Sequence, residues 1–247
     1  MKNYVVQTLC QVTGNNKNSR LDKVPQDMSK KWETYQAVQN ESYSSIKHFL
    51  EGDWEYVLLS EPCEHMFDVF KQNFTKIHKL WTEQECNILF CGLDVQFIKP
   101  TKIFGEFDKF LMFNYSDPKT TANFEHNFNC DIRYYPSTMS KKWMDWTVNE
   151  AMHNLKIWDD EQDIHNYIMW DQDISIEEAV RPHLAWQGMG ISDFTDLQMM
   201  ENHHHWNNGV PIIDAHIIHW HTSRGAENRL EIMSAINEYN RVPVNHE

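Results

Sequence analysis

A single carboxylate interrupts the strongest strand signal in the chain, and its position favours cation binding. The apolar run from Ile88 to Pro100 carries Asp94 near its middle. An ionised carboxylate is costly within an apolar strand, so we expect Asp94 at the carboxyl end of a strand, where open α/β sheets bind their ligands. A carboxylate there can hold a divalent cation. The alternative is that Asp94 only caps a turn.

A late apolar run ends in histidines, hydroxyl groups and a cation. It extends from Ile217 to Gly225 and predicts a buried strand. A histidine in a strand is most often a hydrogen-bonded core residue, which is the alternative for His219. Its place near a strand end makes His219 a better candidate for a ligand, with His221 as a second choice.

Three further polar segments could take part in chemistry. The Asn129 amide can both donate and accept hydrogen bonds, although a turn-edge asparagine is the alternative. The acidic run Asp159–Asp163 is by itself typical of a solvated helix start, since acids favour helix N-termini. His203–His205 is a competing metal site, but three successive side chains cannot easily point at one ion, and an exposed loop is the alternative.

The elements that must position these residues alternate between short apolar runs and helical patterns, which predicts an α/β sheet with helices on its faces. Strands are predicted at Tyr4–Leu9, Glu55–Leu59, Cys86–Ile98, Phe110–Phe113, Phe128–Tyr135 and Ile212–His221. Helices are predicted at Ser42–Glu51, Met66–Trp81, Ser140–Trp158, Glu161–Met169 and Ala226–Tyr239. The polar stretch Pro182–Gly209 is predicted to be a long functional loop.

Composition narrows the class of protein. The 247 residues carry a formal net charge of −14, which disfavours a nucleic-acid-binding protein and means that an anionic ligand needs a bridging cation or a local basic cluster. The five cysteines have no zinc-knuckle or redox spacing and are interpreted as reduced core thiols. No apolar stretch approaches the ~20 residues that span a bilayer, and the first residues lack signal-peptide features. We therefore expect a cytoplasmic protein with no membrane partner.

Four segments, in the same order, resemble GT-A glycosyltransferases, and among these the retaining, family-8-like galactosyl- and glucosyltransferases. They are the strands with Asp94 and Asn129, the acid-Gln-Asp run at 158–166, and the strand with His219. The resemblance implies a Rossmann-like α/β fold with a mixed, mostly parallel sheet flanked by helices. It implies one domain, 1–247, with a nucleotide-binding half (1–100), a donor-sugar and acceptor half (101–225), and a C-terminal helix and tail (226–247).

The resemblance also implies roles for individual residues. Asp94 and His219 would hold Mn²⁺ or Mg²⁺, and Gln162 and Asp163 would border the reacting sugar as catalytic residues. The donor, a nucleotide-diphosphate sugar and in the first instance a UDP-sugar, would contact Thr8, Leu9, Leu93, Asp94, Asn129 and Arg224. Arg224 could neutralise the leaving phosphate through bidentate contacts.

Two positions depart from the family pattern. Gly92 stands where the first of two paired acids is usual, and Asp131 stands where glycine is usual. The first departure leaves half of the acidic motif, so that Asp94 must work with a distant histidine.

The implied activity is metal-dependent transfer of a hexosyl or pentosyl group to an acceptor hydroxyl, with retention of anomeric configuration. The acceptor would be a glycan, a lipid-linked sugar, a protein or a hydroxylated base of viral DNA. The composition, rich in Asn, Met, Trp and His with 8 Gly, suggests a viral source and hence the host cytoplasm. Two alternatives stay open. One is a non-catalytic sugar-nucleotide- or glycan-binding protein of the same fold, and the other is a zinc-dependent hydrolase that uses the His203–His205 loop.

Overall fold

The structure is a computed structural model that describes residues 1–13, 31–115, 128–154, 161–172, 185–189, 215–221 and 226–244. These residues form eight strands: β1 Asn3–Thr8, β2 Glu55–Leu59, β3 Asn87–Cys91, β4 Val95–Phe97, β5 Leu111–Tyr115, β6 Phe128–Tyr135, β7 Ala185–Met189 and β8 Ile217–His221. They also form five helices: α1 Trp32–Phe49, α2 Met66–Gln84, α3 Lys141–His153, α4 Glu161–Asp171 and α5 Ala226–Tyr239.

A five-stranded mixed sheet of order β2-β1-β3-β6-β5 lies at the centre of the fold. β1 runs parallel to β2 and β3, whereas the β3–β6 and β6–β5 pairs are antiparallel. Every residue of β3 is buried, as expected for an apolar strand that is covered on both faces. The prediction of a mixed α/β sheet flanked by helices is confirmed.

A second, smaller sheet has the order β4-β8-β7, with β4 antiparallel and β7 parallel to β8. The prediction of one strand over Cys86–Ile98 is therefore wrong, because the chain turns after Cys91 and β4 joins the other sheet. Gly92 accepts a hydrogen bond from the Val95 amide at 3.3 Å within this turn, and the Asp94 carbonyl accepts one from the Trp220 amide at 2.8 Å. The turn places Asp94 where the two sheets meet.

The helices pack on these sheets and on each other. α1 contacts β4 and α5, α2 contacts α3 and β3, and α4 contacts α3 and β6. The largest apolar cluster surrounds the five-stranded sheet. A smaller one, with Ile218 and Trp220 of β8 and Ile232 and Met233 of α5, fills the space behind the three-stranded sheet. In the described part of the chain, no helix is both long and apolar enough to cross a membrane.

Other element predictions differ from the structure at their ends. The helix predicted from Ser42 begins earlier, at Trp32. Its start could not be predicted, because the buried face of the helix lacks an apolar period and carries polar residues (Gln39, Glu41, Ser42, Ser44 and Ser45). The helix predicted to reach Trp158 ends at His153, and residues 155–160 lie outside the described ranges. The predicted loop Pro182–Gly209 contains β7, and its other residues lie outside the described ranges.

Candidate cation and donor site

Two carboxylates and one imidazole converge where the two sheets meet. Asp94 follows β3, Asp131 lies in β6 and His219 lies in β8. His219 Nε2 is 3.4 Å from Asp94 Oδ1 and 3.1 Å from Asp131 Oδ2. One possible ligand atom from each of the three side chains lies within 4.8 Å of the others. We refer to Asp94, Asp131 and His219 as the Asp-Asp-His group.

Strand pairing brings this group together. His219 lies opposite Val95 in the antiparallel β4–β8 pair, one residue from Asp94. Gly92 donates its amide hydrogen to the Asp131 carbonyl at 2.7 Å, so β6 passes directly beside the turn that carries Asp94. Three segments that are distant in sequence thus deliver one side chain each to the same point.

Arg229, near the start of α5, is a second positively charged partner of Asp94. Its Nη1 is 3.1 Å from Asp94 Oδ2, the oxygen that does not approach His219. The two Asp94 oxygens therefore have separate partners, and Arg229 fixes the plane of the carboxylate. The sequence analysis did not identify Arg229, since nothing local to α5 marks it as a partner of a residue 135 positions away.

The charges of the group perturb its titration. Burial alone would raise the pKa of Asp94, but the positive charges of His219 and Arg229 outweigh it and hold that pKa well below its usual range. Burial alone would lower the pKa of His219, but the neighbouring Asp94 and Asp131 carboxylates raise it above its usual value. The opposed shifts follow from the attraction between these oppositely charged neighbours.

The residues of the group suit a divalent cation. Carboxylate oxygens are the ligands preferred by Mg²⁺ and Mn²⁺, and imidazole shifts the preference towards the transition metals. The His219 side chain is 1% exposed and that of Asp131 is 33% exposed, so the group is anchored in the core and open on the Asp131 side. An ion held there would still be accessible to a ligand from solvent.

The predicted donor-binding residues of β1 and the turn lie near strand ends. Thr8 ends β1 and donates its hydroxyl hydrogen to Asn73 Oδ1 at 2.6 Å, and Leu9 is buried just after it. Leu93, half-buried beside Asp94, packs against the smaller apolar cluster. Their contact with a nucleotide stays a prediction.

Asn129 and the two predicted catalytic residues belong to β6 and the helix docked on it. Asn129 is buried, and its Oδ1 accepts a hydrogen bond from the Asp131 amide at 2.9 Å, which holds the backbone beside the Asp-Asp-His group. Gln162 and Asp163 lie in the first turn of α4, where Asp163 is buried and Gln162 half-buried. Their catalytic roles remain predictions.

A buried polar network fixes α4 on β6. Arg133 Nη1 donates to Glu161 Oε2 at 3.1 Å, and the Arg133 guanidinium lies 3.9 Å from the centre of the Phe90 ring. The Tyr135 hydroxyl lies 2.7 Å from His165 Nε2. Arg133 and Tyr135 lie on one face of β6, since side chains alternate along a strand. Asp131 shares this face, because β3 pairs Phe90 with Arg133 and continues to Gly92 beside Asp131. α4 therefore covers the face that presents Asp131.

Arg224 and the His203–His205 tract lie outside the described residues, as does the side chain of His221. Asp131 is the other functional candidate that sequence reasoning did not assign. The sequence did contain a signal for Asp131, namely the two departures from the family pattern, a glycine at 92 and an acid at 131. The two positions can be connected only through the pairing of β3 with β6.

Comparisons with known proteins bear on the fold. No family model and no curated protein sequence matches the chain. A solved structure of a glycosyltransferase involved in the glycosylation of the major capsid of PBCV-1 aligns with a TM-score of 0.50 at 10% identity, over 95% of this chain and 100% of that one. This chain therefore has a GT-A-like glycosyltransferase fold, which confirms the fold implied by the four segments.

Two further structures align less closely. GlyE of Streptococcus pneumoniae TIGR4 gives a TM-score of 0.43 at 15% identity, over 99% of this chain and 66% of GlyE. The galactosyltransferase LgtC, solved with donor and acceptor sugar analogues, gives 0.41 at 11% identity, over 94% of this chain and 95% of LgtC.

Proposed function

We propose that this protein transfers a sugar from a nucleotide-diphosphate donor, a UDP-sugar in the first instance, to an acceptor hydroxyl, and that Mn²⁺ or Mg²⁺ bound by the Asp-Asp-His group is required. The convergence of Asp94, Asp131 and His219 at the junction of two sheets carries the proposal. In open α/β sheets ligands bind beyond the carboxyl ends of the strands, and Asp94 lies in the turn that follows one such end.

Different residues would bind the cation, the nucleotide and the diphosphate. A cation in this place would stabilise the negative charge that develops on the leaving diphosphate. Arg229 holds Asp94 in a fixed orientation, and Asn129 holds the backbone of Asp131, so the group is arranged before the donor arrives. Thr8, Leu9 and Leu93 would contact the nucleotide, and Arg224 would contact the diphosphate.

The reacting sugar would lie between β6 and the start of α4. The Asn129 amide can both donate to and accept from sugar hydroxyls. Gln162 and Asp163 would border the sugar and the acceptor, with retention of anomeric configuration as the proposed outcome. The docking of α4 on the Asp131 face of β6 through the Arg133–Glu161 ion pair supports this arrangement.

A glycan or a protein is the better acceptor candidate than a base of viral DNA. Two pairs of adjacent lysines, Lys30–Lys31 and Lys141–Lys142, could form a basic cleft. Lys31 Nζ lies 2.7 Å from Glu227 Oε2, and Lys141 Nζ lies 2.6 Å from Asp145 Oδ2. Paired lysines add little positive potential for a phosphate backbone. The shared fold of an enzyme involved in glycosylating a viral capsid supports the same choice.

Release of nucleoside diphosphate from a panel of sugar nucleotides, with and without Mn²⁺, tests the proposal. We expect turnover of at least one donor only with the cation, and a loss of about 100-fold or more in Asp94→Asn, since removal of one charge-stabilising group costs about that factor. Asp145→Asn is the matched control, because Asp145 lies on the surface, away from the Asp-Asp-His group.

Other results would select the alternatives. Nucleotide binding without turnover of any donor would indicate a non-catalytic binding protein of this fold. Bound zinc in elemental analysis, with no donor turnover, would indicate the zinc hydrolase.

A further inference from the structure

Positions 92 and 131 compete for one space beside Asp94. The hydrogen bond from the Gly92 amide to the Asp131 carbonyl extends the β3–β6 pairing one residue beyond Cys91 and Ile132. A methyl group on Gly92 would lie 3.0 Å from Asp131 Oδ1 and 3.2 Å from Asp94 Oδ1. Because these distances are shorter than ordinary van der Waals contacts, a side chain at 92 would enter the volume that the Asp131 carboxylate fills.

Space is thus the reason for glycine at position 92. Gly52 and Gly105 have a left-handed backbone conformation, with positive φ, whereas Gly92 does not. Other residues could adopt the Gly92 backbone, and what opposes a side chain there is the close approach of Asp131, with Asp94 next to it.

The Asp131 carboxylate also supplies charge that Asp94 alone does not. One Asp94 oxygen is held by Arg229, and the other faces His219. Without Asp131, an incoming divalent cation would meet a single carboxylate that is already paired with a guanidinium. With Asp131, the group offers a second anionic ligand that is partly open to solvent.

We propose that Gly92 and Asp131 form an exchangeable pair. The second carboxylate of the cation site comes from β6 at position 131, glycine at 92 makes room for it, and an aspartate at 92 opposite a glycine at 131 would serve equally. The inference rests on the proposed cation site and assigns Asp131 as a ligand and Gly92 as the position that accommodates it.

Binding of Mn²⁺ to the purified full chain, followed by the electron paramagnetic resonance signal of the free ion, tests the exchange without any donor. We expect Asp131→Gly to weaken Mn²⁺ binding by about tenfold or more, because even the outer contacts of metal sites are worth about 10–100-fold. Gly92→Asp in the Asp131→Gly background should restore binding to within about threefold of the starting protein. Asp145→Gly is the control for an aspartate-to-glycine change elsewhere.

Thermal melting of the cation-free protein supplies a second readout that does not depend on the metal. Gly92→Ala should lower the melting temperature when Asp131 is present and should have a smaller effect beside Asp131→Gly, since the nearer of the two obstructing carboxylates is then absent. Asp131→Asn, which keeps the volume and removes the charge, should retain this steric effect of Gly92→Ala but lose Mn²⁺ affinity.

Two results would overturn the inference: Mn²⁺ binding by Asp131→Gly that equals the starting protein, or a double variant that binds no better than Asp131→Gly. If the exchange pattern holds while no sugar nucleotide is turned over, the inference stands and the proposed activity fails. If donors are turned over with Mn²⁺ but Asp131→Gly keeps full Mn²⁺ affinity, the activity stands and the inference fails.

Discussion

Asp94 and His219 could be selected from the sequence because each polar side chain interrupts or ends an apolar strand. Burial of a charge in such a strand is costly unless the charge has a partner. Asp131 and Arg229 could not be selected in this way. Asp131 lies in a strand with a mixture of polar and apolar residues, and Arg229 lies on a helix with a charged first turn. Their importance follows from the pairing of β3 with β6 and the packing of α5, neither of which can be read from local patterns.

His165 has a structural role in the contact between α4 and β6. Its ring is fully buried, stacks on Phe74 with 4.9 Å between ring centres, and lies 2.7 Å from both the Glu161 carbonyl and the Tyr135 hydroxyl. Burial, reinforced by the positive charge of Arg133, holds the pKa of His165 well below its ordinary value. The folded protein therefore keeps this histidine neutral.

The pH dependence of stability follows from that shift. Below the unfolded pKa of about 6.5, the unfolded chain takes up a proton on His165 that the folded chain does not, so the free energy of unfolding falls as the pH decreases. Replacement by Gln should reduce the slope of this free energy between pH 6.5 and pH 5 by up to ~1.4 kcal/mol per pH unit. Urea unfolding across this range measures it, and an unchanged slope in His165→Gln would contradict a neutral buried imidazole.

Three elements have the ends that were predicted from the sequence, namely β2, β6 and α5. The start of α1 and the end of β3 were not predicted. α1 is held by polar contacts such as Asn237 to Glu41. β3 ends at the turn in which the Gly92 amide pairs with the Asp131 carbonyl and the Gly92 carbonyl with the Val95 amide. Long-range pairing decides both.

The attachment of α4 to β6 depends on the Arg133–Glu161 ion pair. Both side chains are buried, with the Arg133 side chain 1% exposed. Glu161→Gln would leave a buried guanidinium without its charged partner, and removal of one partner of a buried pair costs about 3–5 kcal/mol. We expect a loss of that order in the free energy of unfolding, measured by chemical denaturation.

The matched control is Glu83→Gln, which removes an exposed partner of Lys79 and should change stability far less. Equal effects of the two substitutions would show that the Arg133–Glu161 pair does not anchor α4.

At the scale of the whole molecule, the two sheets act together as one frame for the Asp-Asp-His group. The five-stranded sheet supplies the β3 turn and Asp131, and the three-stranded sheet supplies His219. Within the second sheet, Trp220 Nε1 of β8 donates a hydrogen bond to Gln96 Oε1 of β4 at 2.9 Å. Gln96 Nε2 in turn donates to the Met233 carbonyl of α5 at 2.8 Å, which joins this sheet to the helix. The same packing therefore positions both His219 and Arg229.

A crystal structure of the protein grown with Mn²⁺ and a nucleoside diphosphate, with anomalous data collected at the manganese edge, tests the central claim most directly. We predict an anomalous peak in contact with Asp94, Asp131 and His219, with the diphosphate bound to the same ion. A bound nucleotide with no manganese at these three side chains, or manganese bound only elsewhere, would contradict it.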